Sequence, residues 1–231
     1  MALENFFFGI YPYIALSVFA IGCWIRFDRE QYTWKTDSTQ LLSGKWMRLG
    51  SNLFHIGILA ILGGHAVGLL TPHSWFLAVG ISDMDHQYVA IMAGSVFGLM
   101  CLLGGMILWL RRMTNSRVQA AGRKMDSFIL SWLLVTLLLG LCTIPVSLNH
   151  AAHENPDVMI ALAYWVQSVL TLRADPSLLA NVDMIFKIHM FFGMTVVLLF
   201  PFTRLVHVLS VPLGYLSRSY QIVRTKRRQI M

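Results

Sequence analysis

Residues 49–70 read LGSNLFHIGILAILGGHAVGLL, a stretch with no Asp, Glu, Lys or Arg. A bilayer core needs about 20 mainly apolar residues in helical form. In lipid every backbone N–H and C=O must be satisfied within the segment, and no alternation of polar and apolar residues marks a barrel strand here. The stretch therefore predicts a membrane-spanning helix. Its two ionisable groups are His55 and His65. Polar groups at membrane depth are costly and are retained mainly for function.

Four more runs of this kind lie near 6–25, 88–110, 128–146 and 184–209. The expected fold is an all-α membrane protein with five transmembrane helices, the 231 residues forming one integral membrane domain. Composition agrees: 56% of residues are hydrophobic and 13% charged, against about 25% charged in soluble domains. A sixth apolar run, 158–172, is short and contains Gln167 and Ser168. Asn155-Pro156-Asp157 starts it as a helix start would, with proline in the first turn, and Arg173 and Asp175-Pro176 close it. It predicts a short interfacial helix. The start Met-Ala-Leu-Glu-Asn lacks a basic segment, so the first run is expected to be a retained anchor and not a cleaved signal.

Charge sets the orientation. Arg26, Arg29, Lys35, Lys45 and Arg48 follow the first span; Arg111, Arg112, Arg117, Arg123 and Lys124 follow the third. Arg218, Arg224, Lys226, Arg227 and Arg228 lie in the tail 210–231. With five spans these fifteen fall on one side, against Arg173 alone on the other. By the positive-inside rule the N-terminus faces outward and the basic tail the cytoplasm. The net charge of +7 is thus a topology signal. Its clusters sit between apolar runs and not on one face, which argues against nucleic acid. Cys23, Cys101 and Cys142 fall singly inside apolar runs, reading as packing residues with no disulfide framework or metal pair.

Of eight histidines, His73, His86, His150 and His153 lie in or beside outward loops. The other four fall in two spans: His55 and His65 in the second, His189 and His207 in the fifth. These spans are antiparallel, so depth pairs His65 with His189 near the outer face and His55 with His207 near the cytoplasm. Two bis-imidazole sites between one helix pair predict two haems held without thioether links. Zinc fits less well, because the pairs lie too far apart in depth to share an ion and lack carboxylate or cysteine ligands. The spacing is uneven. His55 and His65 are 10 residues apart and His189 and His207 18, about 15 Å and 27 Å along ideal helices, with His65 about 80° round the axis from His55. Tilt and a kink at Pro201 are expected to absorb the difference. Gly57, Gly63, Gly64, Gly68 and Gly193 beside the histidines give either room for a flat porphyrin or helix-packing surface.

Several segments resemble one family. Ser51-Asn52-Leu53-Phe54-His55-Ile56-Gly57, Gly64-His65, Leu70-Thr71-Pro72-His73, Phe6-Phe7-Phe8-Gly9-Ile10-Tyr11-Pro12-Tyr13 and Gln31-Tyr32-Thr33-Trp34 are similar to the gamma chain of respiratory nitrate reductase, its cytochrome b subunit. Lys187-Ile188-His189 and Phe200-Pro201-Phe202-Thr203-Arg204-Leu205-Val206-His207 extend the resemblance over almost the whole chain. It implies five spans and two b haems: a distal one on His65 and His189 near the periplasm, and a proximal one on His55 and His207. It implies that quinol is oxidised near the distal haem, protons leave outward, and electrons pass through both haems to an iron–sulfur beta subunit on the cytoplasmic face. Nitrate is reduced on a molybdenum-containing alpha subunit. Charge moved inward against the membrane potential then stores about 2.3 kcal/mol per 100 mV.

One position departs from the family pattern. Family members can carry a lysine, linked to quinol binding, where this chain has His86, in Asp83-Met84-Asp85-His86. Histidine can donate to a quinone oxygen or accept a proton, and a plain loop role stands beside that reading. Arg204, three residues from His207, can pair with a haem propionate or snorkel to the headgroups. Two rivals remain at this level: the cytochrome b of a formate dehydrogenase or hydrogenase, and a transporter using histidines as a proton relay.

Overall fold

The structure, a computed structural model, describes residues 2–34, 39, 42 and 44–210. Lys35 and the basic residues of the tail, used above for orientation, lie outside the described residues. Every regular element among the described residues is helical. Five helices are long and apolar enough to cross a membrane. They are α1 (Tyr11–Arg29), entered through a π-turn at Phe6–Ile10; α2 (Lys45–Leu70); α3 (Asp83–Thr114); α4 (Lys124–Ala152); and, after a short α5 (Asp157–Leu170), α6 (Met184–Leu199), whose span continues through a 3-10 turn to Phe202.

The helices overrun the apolar runs that predict them, because capping lies outside any hydropathy average. Ser82 and Asp85 form a capping box that starts α3 at Asp83. His86 is therefore helical, in the first turn of α3, and not in a loop. Asp126 Oδ2 likewise accepts from the Arg123 N–H at 3.3 Å at the start of α4. The same carboxylate takes Arg112 Nη2 at 3.1 Å, and both side chains are buried. That pair ties the end of α3 to the start of α4.

The largest departure is in the fifth span. The run 184–209 is not one kinked helix. α6 stops at Leu199, a 3-10 turn covers Phe200–Phe202, Thr203 is extended, and a second 3-10 segment runs Arg204–Ser210. Pro201 is the physical reason: it has no N–H to donate and its ring obstructs the preceding turn.

Packing runs in sequence α2 on α3, α3 on α4, α4 on α6, and α6 on α1. The resulting arc turns α2 and the fifth span to face each other. The α2–α3 contact is backbone-close. A Cβ at Gly57 would lie 2.7 Å from the Cys101 backbone nitrogen, and one at Gly104 would collide with Phe54 N. Gly57 therefore serves helix packing and does not make room for a porphyrin.

The short α5 is too short to cross a bilayer. Its Trp165 and Val169 are buried with Phe8, Leu179, Val182 and Phe186. Trp165 Nε1 donates to Phe8 O at 3.0 Å. In an α-helix that carbonyl would take the N–H of residue 12, which is Pro12 and has none. Gln167 Nε2 donates to Leu69 O and Thr71 O at 3.1 and 3.2 Å, closing the end of α2. In the following loop Ser177 donates through its hydroxyl and its N–H to Asp175 Oδ1, which holds that carboxyl below its ordinary value.

Candidate functional site

Direction alone requires α2 and the fifth span to present their histidines at matching depths, and the structure brings the expected pairs together. The rings of His65 and His189 have centres 6.3 Å apart, and those of His55 and His207 6.4 Å. The uneven spacing along the two spans is taken up by the break after Leu199, which places His207 on the 3-10 segment and not on α6.

The second nitrogen of each ring is also placed. His65 Nδ1–H donates to Ile61 O at 2.8 Å, and His55 Nδ1–H to Ser51 O at 2.7 Å. Both acceptors lie one turn back on α2. His207 Nδ1–H donates to Arg204 O at 2.5 Å. His189 reaches across to α4, donating to Thr136 O at 3.0 Å. A carbonyl can only accept, so each Nδ1 carries a proton and Nε2 is the nitrogen left available to a metal. Each ring is thereby oriented by its backbone acceptor.

The distances have a simple geometric reading. Each pair is spaced so that a single metal ion could lie between its two rings. Among the described residues no group of three or more His, Cys, Asp or Glu side chains gathers to hold a metal ion. Two imidazoles are too few for a zinc site, which takes four ligands. They suit iron whose other four ligands come from a porphyrin. Beside the pairs, Cβ atoms at Gly63, Gly64 and Gly193 would meet no protein atom within 4 Å. These positions leave a flat ring free to approach.

Two residues not singled out by the sequence complete this site. Gly140, one turn after Thr136 on α4, sits against His189: a Cβ there would lie 2.9 Å from its Cε1. Its missing side chain lets the ring reach the Thr136 carbonyl. An isolated glycine inside an otherwise large-residue run, Leu137-Leu138-Leu139-Gly140-Leu141, was the available signal.

His86 lies at the His65 end. Its ring stacks on Phe76 with centres 4.3 Å apart. With Gly68, His73, Phe76, Ile160 and Tyr164 it lines a small open cleft. Gly68 is what lets it in, since a Cβ there would stand 3.3 Å from His86 Nε2. His73 Nδ1 lies 3.2 Å from Asp83 Oδ1 beside it. At the opposite end Arg204 shares a second cleft with Arg26, Arg123, Asp126 and Thr203.

Comparison with known proteins agrees with this architecture. The family model described as nitrate reductase gamma subunit matches residues 4–226. The respiratory nitrate reductase 1 gamma chain of Escherichia coli (strain K12) is 48% identical over 97% of this chain and 98% of its own length. The respiratory nitrate reductase 2 gamma chain of the same organism is 47% identical, with the same coverage. The nitrate reductase gamma chain of Bacillus subtilis (strain 168) is 36% identical over 94% of this chain and 96% of its own. With its five spans and its two facing histidine pairs, the chain belongs to the nitrate reductase gamma subunit family.

Proposed function

We propose that this chain is the dihaem cytochrome b subunit of a membrane-bound respiratory nitrate reductase. The single observation that carries the reading is the pair of imidazole separations, 6.3 and 6.4 Å, with all four Nδ1 atoms tied to backbone carbonyls. His65 and His189 hold the distal b haem, His55 and His207 the proximal one. Bound there, the haems supply one-electron transfer at two depths of the membrane. The chain's own part is to hold each ring in one orientation, and to surround the pairs with apolar helix. Membership of the gamma subunit family favours nitrate over formate or hydrogen as the business of the complex.

Quinol is the proposed donor, entering from the bilayer at the outward end. His86 is the proposed contact, with its Nε2 beside Gly68 and the cleft open between α2, α3 and α5. Arg204 is the proposed partner of a propionate. The proposed orientation places the N-terminus outside and the C-terminus in the cytoplasm of the inner membrane, where an iron–sulfur beta subunit and a molybdenum-containing alpha subunit dock. The positive-inside charges support it.

The test is a reduced-minus-oxidised spectrum of the complex purified from membranes. Two low-spin b haems per gamma chain are expected. H65A or H189A should each remove the same haem, and H55A or H207A the other. A colourless preparation, or an H65A protein that keeps both haems, overturns the assignment.

A further inference from the structure

We propose that Arg26 is the positioning residue for His207: it fixes the hinge from which the proximal ligand is presented. This rests on the reading that His207 ligates a haem. In sequence Arg26 is one of many orientation charges, which need only reach the headgroups. In the structure its guanidinium is turned onto the fifth span. Nη1 donates to Pro201 O at 2.6 Å and to Thr203 O at 2.7 Å. Nη2 donates to Thr33 O at 2.9 Å, and Nε to Thr33 Oγ1 at 3.4 Å.

The two carbonyls straddle the break in the span. A helix end leaves its last carbonyls without backbone donors, and proline deepens the deficit. Thr203, at φ −120° and ψ 176°, is the extended residue that redirects the chain from α6 into the segment Arg204–Ser210. One nitrogen bonded on both sides of that residue sets the angle between the two pieces. His207 is four residues further on, with its own ring tied back to Arg204 O. Where the hinge goes, the ring follows.

α1 is shaped for this contact. Phe19, Gly22 and Arg26 lie on one helical face. Phe19 meets Phe200 edge-on with ring centres 5.1 Å apart. A Cβ at Gly22 would stand 2.8 Å from the Pro201 ring, so the glycine is what lets Pro201 seat against α1. The first span carries no histidine of its own, yet it grips the break that delivers one.

The test uses R26K and R26A in the whole complex in its membrane, read by the low-spin EPR signals of the two haems and by haem content. Lysine keeps the charge but cannot donate to Pro201, Thr203 and Thr33 together from one planar fork. In R26K both haems should be present, with the proximal signal moved and the distal one unmoved. In R26A the proximal haem should be lost preferentially. The proposal is overturned if neither signal moves in R26K, or if R26K matches the parent while R26A loses both haems equally, as for a topology charge alone. H207A is run in parallel. If it retains both haems, the ligand assignment itself has failed, which separates that failure from a failure of the hinge.

Discussion

Replacing Gly140 with alanine tests the site through a residue that carries no ligand. The new Cβ would stand 2.9 Å from His189 Cε1 and 3.4 Å from both ring nitrogens. Carbon–carbon contacts settle near 3.5 Å or more, so the ring must retreat by about 0.6 Å. It retreats from α4, the helix that also holds its acceptor. The Nδ1–H to Thr136 O bond, 3.0 Å in the structure, then opens to about 3.6 Å and ceases to be a hydrogen bond. A lost bond of this kind is worth about 1 kcal/mol net. Loss of the outer partner of a metal-bound histidine typically costs about 10–100-fold in metal affinity. The G140A complex should therefore keep the proximal haem and show a shifted, under-occupied distal haem. Haem per chain and the two EPR signals read the result. Full occupancy with an unmoved distal signal would refute the chain of reasoning from glycine to carbonyl to ring.

Other outcomes follow from neighbouring features. D126N removes the charge from a carboxylate buried against Arg112; stranding a buried cation of this kind costs about 3–5 kcal/mol, so the amount of gamma chain accumulating in membranes should fall sharply, and an unchanged level by immunoblot contradicts a structural role. Changing both partners together, as R112M/D126L, should recover much of that loss, and no recovery would place the cost elsewhere. H86A should raise the KM for quinol while leaving both haem spectra intact, and an unchanged KM in steady-state quinol oxidation removes His86 from the quinol site.

How much of this was legible in the sequence differs from feature to feature. The five runs and the depth pairing follow from length and direction, which the chain states directly. His65 meets His189, and His55 meets His207, because antiparallel helices leave no other match. The hydrogen-bond acceptors were out of reach. Thr136 O lies on a third helix, and its meeting with His189 depends on the rotation of α4 about its axis, which hydropathy does not specify. Hydropathy does not mark helix ends where capping lies in polar residues: the box Ser82-Asp83-Met84-Asp85 starts α3 early and places His86 in its first turn. The break at Pro201 is legible as a kink, but the donor that satisfies its free carbonyls is not, since Arg26 is 175 residues away from Pro201. Gln167, read as a polar blemish in a short run, turns out to close the end of α2.

The partners of the first span also govern the order in which the molecule can be built. Phe8 takes Trp165, Tyr11 shares a 2.8 Å hydroxyl bond with Thr195, and Arg26 waits for Pro201. Each of these contacts joins the beginning of the chain to its last third. During synthesis the first helix to enter the membrane is thus the last to find its seat, parked in lipid until some 170 later residues have emerged. Each facing histidine pair likewise draws one ring from the second span and one from the fifth, so a ribosome stalled after the fourth span would leave half of each pair.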